Sequence, residues 1–227
     1  MNVFARNAWR KPIPAPVCAG MLFAGFMGMC VSLGGGLAAA AVAPVTGIAL
    51  MCLTLRLSSP PPIRWRRCFG LRNFRKADLA LLGWSVPLLL TGNGLLLFVS
   101  RSAIEYFELP FATEQSVAVW MRAVAGRPLA AAALTVTVTV LIPPFEELFF
   151  RRVLFGWFRS MAGGGTAALA ASAVFAAAHF FPAGMPTLFW MGLVLQYLYG
   201  RSRNLWVPTA AHAVVNLTAA IALLAEA

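Results

Sequence analysis

Long runs of apolar residues dominate the chain, and ionisable side chains interrupt them only rarely. Of its 227 residues, 60% are hydrophobic and 11% are charged, whereas a soluble domain carries about 25% charged residues. A run of about 20 apolar residues can cross the hydrocarbon core of a bilayer as a helix that satisfies its own backbone hydrogen bonds. The sequence therefore predicts an integral membrane protein and argues against a soluble or disordered chain.

We expect an all-α, polytopic transmembrane helix bundle with about seven spans, within a range of about six to eight. The predicted spans cover residues 16–33, 37–57, 78–100, 129–159, 166–181, 186–200 and 204–225. We treat residues 1–227 as a single membrane domain, in which residues 1–128 supply amino-terminal spans of unassigned role and residues 129–227 form a core with the functional motifs. A cleaved signal peptide at the first apolar run is disfavoured, because a second apolar run follows at once.

The net charge of +11 is distributed in a way that predicts membrane topology rather than nucleic-acid binding. Residues 56–77 contain many basic residues, and more basic residues occur at 151–159 and 201–203. Residues 101–128, in contrast, carry three arginines and three glutamates. Loops rich in Lys and Arg stay on the cytoplasmic side of a membrane. We therefore place the N-terminus and the 58–77 loop in the cytoplasm, residues 101–128 outside, and the chain in the inner (plasma) membrane of a bacterium, with no nucleic-acid partner.

Ionisable groups inside the predicted spans are costly in a bilayer, and they mark the candidate functional residues. The chain has seven acidic residues and two histidines. The candidates that we select within the predicted spans are Glu146, Glu147, Arg151, His179, His212 and Asn216. Three pairs are four residues apart, which places both members on one helix face: Glu147 and Arg151, Phe175 and His179, His212 and Asn216. We expect three helices to bring these groups together in one polar cluster between them.

Such a cluster is suited to the hydrolysis of an amide without a covalent nucleophile. One carboxylate can act as a base on water, and a neutral histidine can assist it. A second histidine and an asparagine can donate hydrogen bonds to the oxyanion of a tetrahedral intermediate. A zinc-dependent version remains open, since His and Glu are zinc ligands. We favour the metal-free version, because the sequence has no His-Glu-x-x-His helix and Arg151 can pair with one of the two adjacent carboxylates.

At these residues the sequence resembles the CAAX-protease and bacteriocin-processing family of intramembrane glutamic endopeptidases, which is related to the Ras-converting CAAX endopeptidase. Three family motifs occur in order, namely Glu-Glu-x-x-x-Arg at 146–151, Phe-x-x-x-His at 175–179 and His-x-x-x-Asn at 212–216. The resemblance covers residues 140–217. Gln196 departs from it, since it stands where many relatives carry a small residue.

The resemblance implies a role for each residue of the motifs. Glu146 would be the general base, with His179 helping to activate water. His212 and Asn216 would stabilise the oxyanion, and Glu147 and Arg151 would orient the site. The implied substrate is a membrane-anchored protein or peptide, cut in a C-terminal tail, a sorting signal or a leader. Members of the family are often labelled metalloendopeptidases, whereas a glutamate mechanism without a cofactor fits the motif residues better.

Two other classes of function remain open at the level of sequence. A non-catalytic member of the family could act as an immunity factor or a membrane chaperone, but the complete set of motif residues disfavours it. A small transporter could use the same buried carboxylates for coupling to protons. The absence of an inverted repeat in the sequence disfavours a transporter.

Overall fold

The computed structural model describes residues 36–58 and 70–227, which form seven α-helices and no strand. Helix α1 is Gly36–Ser58, α2 is Lys76–Tyr106, α3 is Ser116–Val124 and α5 is Gly164–Ala177. Helix α4 runs from Pro128 to Met161, and α6 and α7 are Met185–Ser202 and Trp206–Ala225. The prediction of an all-helical membrane protein is confirmed, while the predicted span at 16–33 lies outside the described residues.

Among the described residues, three helices are long and apolar enough to cross a membrane, namely α2, α4 and α7. Helix α5 is apolar but shorter, with 14 residues. Six of the predicted spans correspond to α1, α2, α4, α5, α6 and α7, with ends that differ by a few residues. The number of actual crossings stays a prediction.

Helix α3 lies within residues 101–128, which we predicted to be a loop outside the membrane. The sequence analysis predicted no helix there. Its sequence nevertheless carries a helical signal. Val117, Trp120, Met121 and Val124 follow the spacing of one helix face, and all four pack in a small apolar cluster with Leu134 of α4. The sequence analysis searched for apolar runs long enough to span a membrane, and the nine residues of α3 are too few for that.

The main core lies where α4, α5, α6 and α7 meet, and large side chains of α4 fill its centre. Phe149, Phe150 and Phe155 are buried there, together with Phe175 of α5 and Leu195 of α6. The ring centroids of Phe150 and Phe175 are 5.0 Å apart in an edge-to-face arrangement. Such pairs add to the stabilisation that burial of the rings provides.

Helices α5 and α6 approach closely because Gly192 has no side chain. A Cβ atom at Gly192 would lie 2.9 Å from Ser172 Cβ and 3.1 Å from Ser172 Cα. Small residues at such contacts allow helices to pack closely in a membrane, where apolar burial alone provides little drive for association. The contact matters for the site, because α5 ends just before His179.

The fold also joins the start of α2 to the turn between α6 and α7. Asn204 Oδ1 accepts a hydrogen bond from the Arg72 backbone N–H at 3.1 Å, and the Leu205 N–H donates to Gly70 O at 3.1 Å. The Arg75 guanidinium donates both to Asp78 at 2.9 Å and to Ser202 O at 3.1 Å. These bonds fix the end of the bundle that carries most of the basic residues.

We expect Gly192→Leu to destabilise the protein by about 1–3 kcal/mol, which is the usual cost of overpacking a core. The matched control is Gly94→Leu on α2, since a Cβ at Gly94 would have nothing within 4 Å. Thermal unfolding of both variants in the same detergent measures the difference. Equal melting temperatures for the two variants would contradict the close packing of α5 on α6.

Candidate active site

The two adjacent glutamates lie on α4, on a short α-helical stretch between two π-helical segments. The α-helical stretch is Ile142–Glu147, and the π-helical segments are Thr137–Leu141 and Leu148–Leu154. Single π-helical turns within α-helices occur often at functional sites. Here they change the direction in which α4 presents its side chains just before and just after the glutamates.

Pro143 and Pro144 give a physical reason for the first π-helical segment. Neither proline has a backbone N–H, so the regular hydrogen bonds of this turn cannot all form. The Ile142 N–H donates to Thr137 O, five residues back, rather than to Val138 O. The Val138 carbonyl is thereby left without its usual helical donor, and it lies within the bundle.

Asn216 of α7 donates to this freed carbonyl, since its Nδ2 lies 2.8 Å from Val138 O. The bond holds the Asn216 amide against α4. A side-chain amide has two N–H donors, so one of them can still point into the site. The position of Asn216 therefore depends on the packing of α7 against α4 and on the π-helical turn that frees Val138 O.

Glu147, Arg151 and His212 form a buried hydrogen-bonded group behind Glu146. Arg151 Nε lies 2.9 Å from Glu147 Oε2, and Glu147 Oε1 lies 3.0 Å from His212 Nδ1. The side chains of Glu147 and Arg151 are fully buried. Removing one member would leave an uncompensated buried charge, which is costly. The predicted pairing of Glu147 with Arg151 is present, and it extends to His212.

The Arg151 guanidinium is also packed against aromatic rings. Its Cζ lies 4.8 Å from the centroid of Phe175 and 6.0 Å from that of Phe150. A cation within about 6 Å of a ring face is attracted by the ring. Phe175, the first residue of the second motif, therefore belongs to the support of the site rather than to the cavity.

His179 lies just beyond the end of α5, and this corrects the predicted fifth span. The span was expected to reach residue 181, but the helix ends at Ala177. Phe180 has a positive φ of 48°, and Pro182 follows it; both features end a helix. His179 Nδ1 still lies 2.7 Å from Phe175 O, so the four-residue spacing places the ring correctly even at the turn.

The hydrogen bonds at Nδ1 leave the Nε2 atoms of both histidines facing Glu146. A carbonyl oxygen only accepts, so His179 Nδ1 must donate to Phe175 O, and a carboxylate likewise takes a donor from His212 Nδ1. His179 Nε2 is 4.0 Å from Glu146 Oε1, and His212 Nε2 is 3.6 Å from Glu146 Oε2. The structure thus brings Glu146 and both histidines together.

The distances from Glu146 to the histidines are longer than direct hydrogen bonds. Glu146 Oε2 is buried, and within the described part of the chain it has no hydrogen-bond partner. When His179 is neutral, its Nε2 is an acceptor, as is the carboxylate of Glu146, so these two groups need a donor between them. A water molecule can supply that donor, because it carries two hydrogens.

A cavity of about 180 Å3 lies next to Glu146 and extends to α3. Its walls are mostly apolar, and its polar atoms come from the motif residues at one end and from Gln115 at the other. The lining residues are Gln115, Val117, Met121, Val138, Ile142, Glu146, His179, Leu188, Met191, His212, Asn216, Ala219, Ala220 and Leu223. Gln196 is buried on α6 and is not among the residues that line it.

Zinc is the metal ion that His and Glu side chains most often hold in hydrolases. A catalytic zinc ion would need the two Nε2 atoms and a carboxylate oxygen within about 2.0–2.2 Å of one point. In the described ranges no group of three or more His, Cys, Asp or Glu side chains could hold a metal ion.

Sequence reasoning identified the six motif residues but not the walls of the cavity. The contributions of α3 were overlooked, although the spacing of its apolar residues indicated a helix with one buried face. The role of Val138 has no local signal, because in a regular α-helix Pro143 and Pro144 would free the carbonyls of Thr139 and Val140 instead. The choice of Asn216 as its partner depends on the packing of α7, which no local pattern indicates.

Comparison with known proteins agrees with the resemblance that the motifs indicated. Residues 128–218 match the family model described as type II CAAX prenyl endopeptidase Rce1-like, which covers α4 to most of α7 and all the motif residues. No curated protein and no solved structure matches the chain significantly. The predicted family resemblance is confirmed over residues 128–218, where this helical membrane protein matches the Rce1-like family model.

Proposed function

We propose that the protein is an intramembrane endopeptidase that uses Glu146, without a covalent intermediate, to activate water against a peptide bond. One observation carries the proposal: Glu146 faces Nε2 of both histidines, and all three residues line one cavity. The family-model match over residues 128–218 supports proteolysis as the general type of reaction. The proposed mechanism follows from the donors and acceptors around Glu146.

The water between Glu146 and the histidines is the proposed nucleophile. Glu146 accepts a proton from the water while the water oxygen attacks the peptide carbonyl carbon. His179 Nε2 accepts a hydrogen bond from the second hydrogen of the same water. The Phe175 carbonyl keeps the His179 proton on Nδ1. The exposed fraction of the Glu146 and His179 side chains is 15% each, so both can meet a substrate in the cavity.

His212 and Asn216 are the proposed donors to the oxyanion. His212 can donate from Nε2 only when both of its ring nitrogens carry protons, and the Glu147 carboxylate lies against Nδ1 to balance that charge. The second N–H of Asn216 Nδ2 remains after its bond to Val138 O. Donors fixed in place before the reaction stabilise the developing charge more than mobile water does.

The breakdown of the tetrahedral intermediate completes the reaction. Protonated Glu146 gives its proton to the leaving amide nitrogen, the carbon–nitrogen bond breaks, and the carbonyl forms again as a carboxylic acid. Glu147 and Arg151 do not touch the substrate in this scheme. They act as positioning residues, since they hold His212 through one buried carboxylate.

The proposed substrate is a protein or peptide anchored in the same lipid bilayer. The apolar walls of the cavity suit apolar side chains next to the cut bond. We propose the plasma membrane of a bacterium as the location, with the amino-terminus in the cytoplasm, since basic residues concentrate in the connecting segments around residues 56–77 and 201–203. No cofactor takes part in the proposed mechanism.

We expect Glu146→Gln to lower the rate of cleavage by at least about 100-fold, the lower end of the effect of a general base. Glutamine keeps the size of the side chain but cannot take the proton. The measurement compares the termini of membrane proteins in cells that produce either form, by quantitative proteomics. Glu105→Gln, an exposed acid on α2, is the matched control.

A melting temperature equal to that of the parent protein would show that Glu146→Gln is folded. If the folded variant still produced every new terminus, Glu146 would have no part in the reaction. A protein that acts only as an immunity factor or chaperone would likewise show no difference in termini between the two forms.

We expect metal chelators to leave the activity unchanged, because the proposed steps use only water and side chains. The measurement is cleavage of an identified substrate by purified protein in detergent, with and without a strong zinc chelator. A zinc-dependent endopeptidase treated in the same way is the control. Loss of activity that added zinc restores would instead support the zinc-dependent version of the protease.

A further inference from the structure

The described lining residues lead from the catalytic groups towards one end of the bundle. Along α4, the lining residues run from Glu146 back to Ile142 and Val138, one helical turn at a time. Along α7, they run from His212 forward to Asn216 and then to Ala219, Ala220 and Leu223. Both series lead to the same end of the bundle, where the first residues of α3 complete the walls.

The opposite direction is closed by tightly packed side chains. Arg151, Phe155, Phe175, Val207 and Ala211 lie on that side of Glu146 and His212, and each has an exposed fraction of 0%. None of them lines the cavity. Among the described residues, the path to Glu146 that the cavity offers therefore leads from the end that carries α3.

The connections between the helices identify which chain segments share each end. Met161 and Gly164 are joined by two residues, and α5 returns to α6 through the short segment 178–184. The end of α4, the start of α5, the end of α6 and the start of α7 therefore lie together. The start of α2 joins them, since Arg75 donates to Ser202 O at 3.1 Å.

The two ends carry opposite patterns of charge. In the described residues, the end that is closed to the cavity carries a basic set with one acid, Asp78, which is paired with Arg75. That basic set is Arg72, Arg75, Lys76, Arg159, Arg201 and Arg203. The end with α3 carries acids and bases in similar numbers, namely Glu105, Glu108, Glu114, Glu226, Arg101, Arg122 and Arg127.

This asymmetry assigns a side of the membrane to the mouth of the cavity. Basic connecting segments stay in the cytoplasm, so the closed end faces the cytoplasm and the end with α3 faces the other side. We propose, on the basis of the function proposed above, that the enzyme cuts its substrate on the extracytoplasmic side of the membrane. The substrate is then a membrane-anchored protein with an apolar cleavage segment at its outer membrane boundary, and not a lipid-modified cytoplasmic tail.

The first experiment determines the side on which the cavity opens, without any need for activity. In a variant whose natural cysteines are replaced by alanine, Gln115→Cys marks the mouth and Arg201→Cys marks the basic end. Arg201 is exposed at the end of α6. A charged maleimide cannot cross the bilayer, so in intact spheroplasts it should label Gln115→Cys and leave Arg201→Cys unlabelled until the membrane is permeabilised.

Labelling of Arg201→Cys before permeabilisation, with Gln115→Cys protected, would overturn the proposal. Labelling of both positions in intact spheroplasts would overturn it as well, since the two ends would not lie on opposite sides. The melting temperature of each cysteine variant shows whether it is folded, and Gly94→Cys on the exposed face of α2 serves as a membrane-embedded position that the reagent should not reach from either side.

The second experiment locates the cut itself. In cells that produce Glu146→Gln, uncut substrate should accumulate, and the missing termini should map to extracytoplasmic segments of membrane-anchored proteins. Termini that map to cytoplasmic segments would overturn the sidedness while leaving the protease in place. An unchanged set of termini would reject the proposed proteolysis, and the labelling result would still show separately where the cavity opens.

Discussion

The ion pair between Glu147 and Arg151 is the interaction on which the rest of the site depends. Both side chains are fully buried, and Arg151 Nε lies 2.9 Å from Glu147 Oε2. Charges in such an environment persist only when they are paired and hydrogen-bonded. The pair joins α4 to α7 through His212, and it presses the guanidinium against Phe175 of α5. Three helices are thus tied together at the depth where the reaction would occur.

A second constraint is the interruption of α4 by two prolines. A continuous α-helix would keep Val138 O within its own hydrogen-bond ladder. The π-helical turn releases this carbonyl, and Asn216 donates to it. The local cost of the irregular helix is offset by a specific contact between α4 and α7. Glu146 faces the cavity and Glu147 faces the core, with exposed side-chain fractions of 15% and 0%. Two adjacent residues of one type thereby have different surroundings.

Each of the three motifs has two residues four positions apart, which were expected to share one helix face. The contacts of the two residues differ from motif to motif. Glu147 and Arg151 pair directly along α4, as residues four apart on a helix face do. Phe175 and His179 are linked through a backbone carbonyl, because the helix ends between them. His212 and Asn216 do not contact each other in the described bonds, but each reaches α4, at Glu147 and at Val138 respectively. Spacing alone predicted a shared face, and the partners across the bundle determine the chemistry.

The sequence by itself determined that the chain is helical and membrane-embedded, and it selected the polar residues, because ionisable groups are rare and costly within apolar helices. It also placed most helix ends within a few residues, since prolines, glycines and charges mark them locally. Only the tertiary structure decided that α3 lines one end of the cavity and that Asn216 bonds to Val138 O. These features depend on contacts between residues far apart in the chain, such as Asn216 and Val138, and no periodicity within a single helix contains that information.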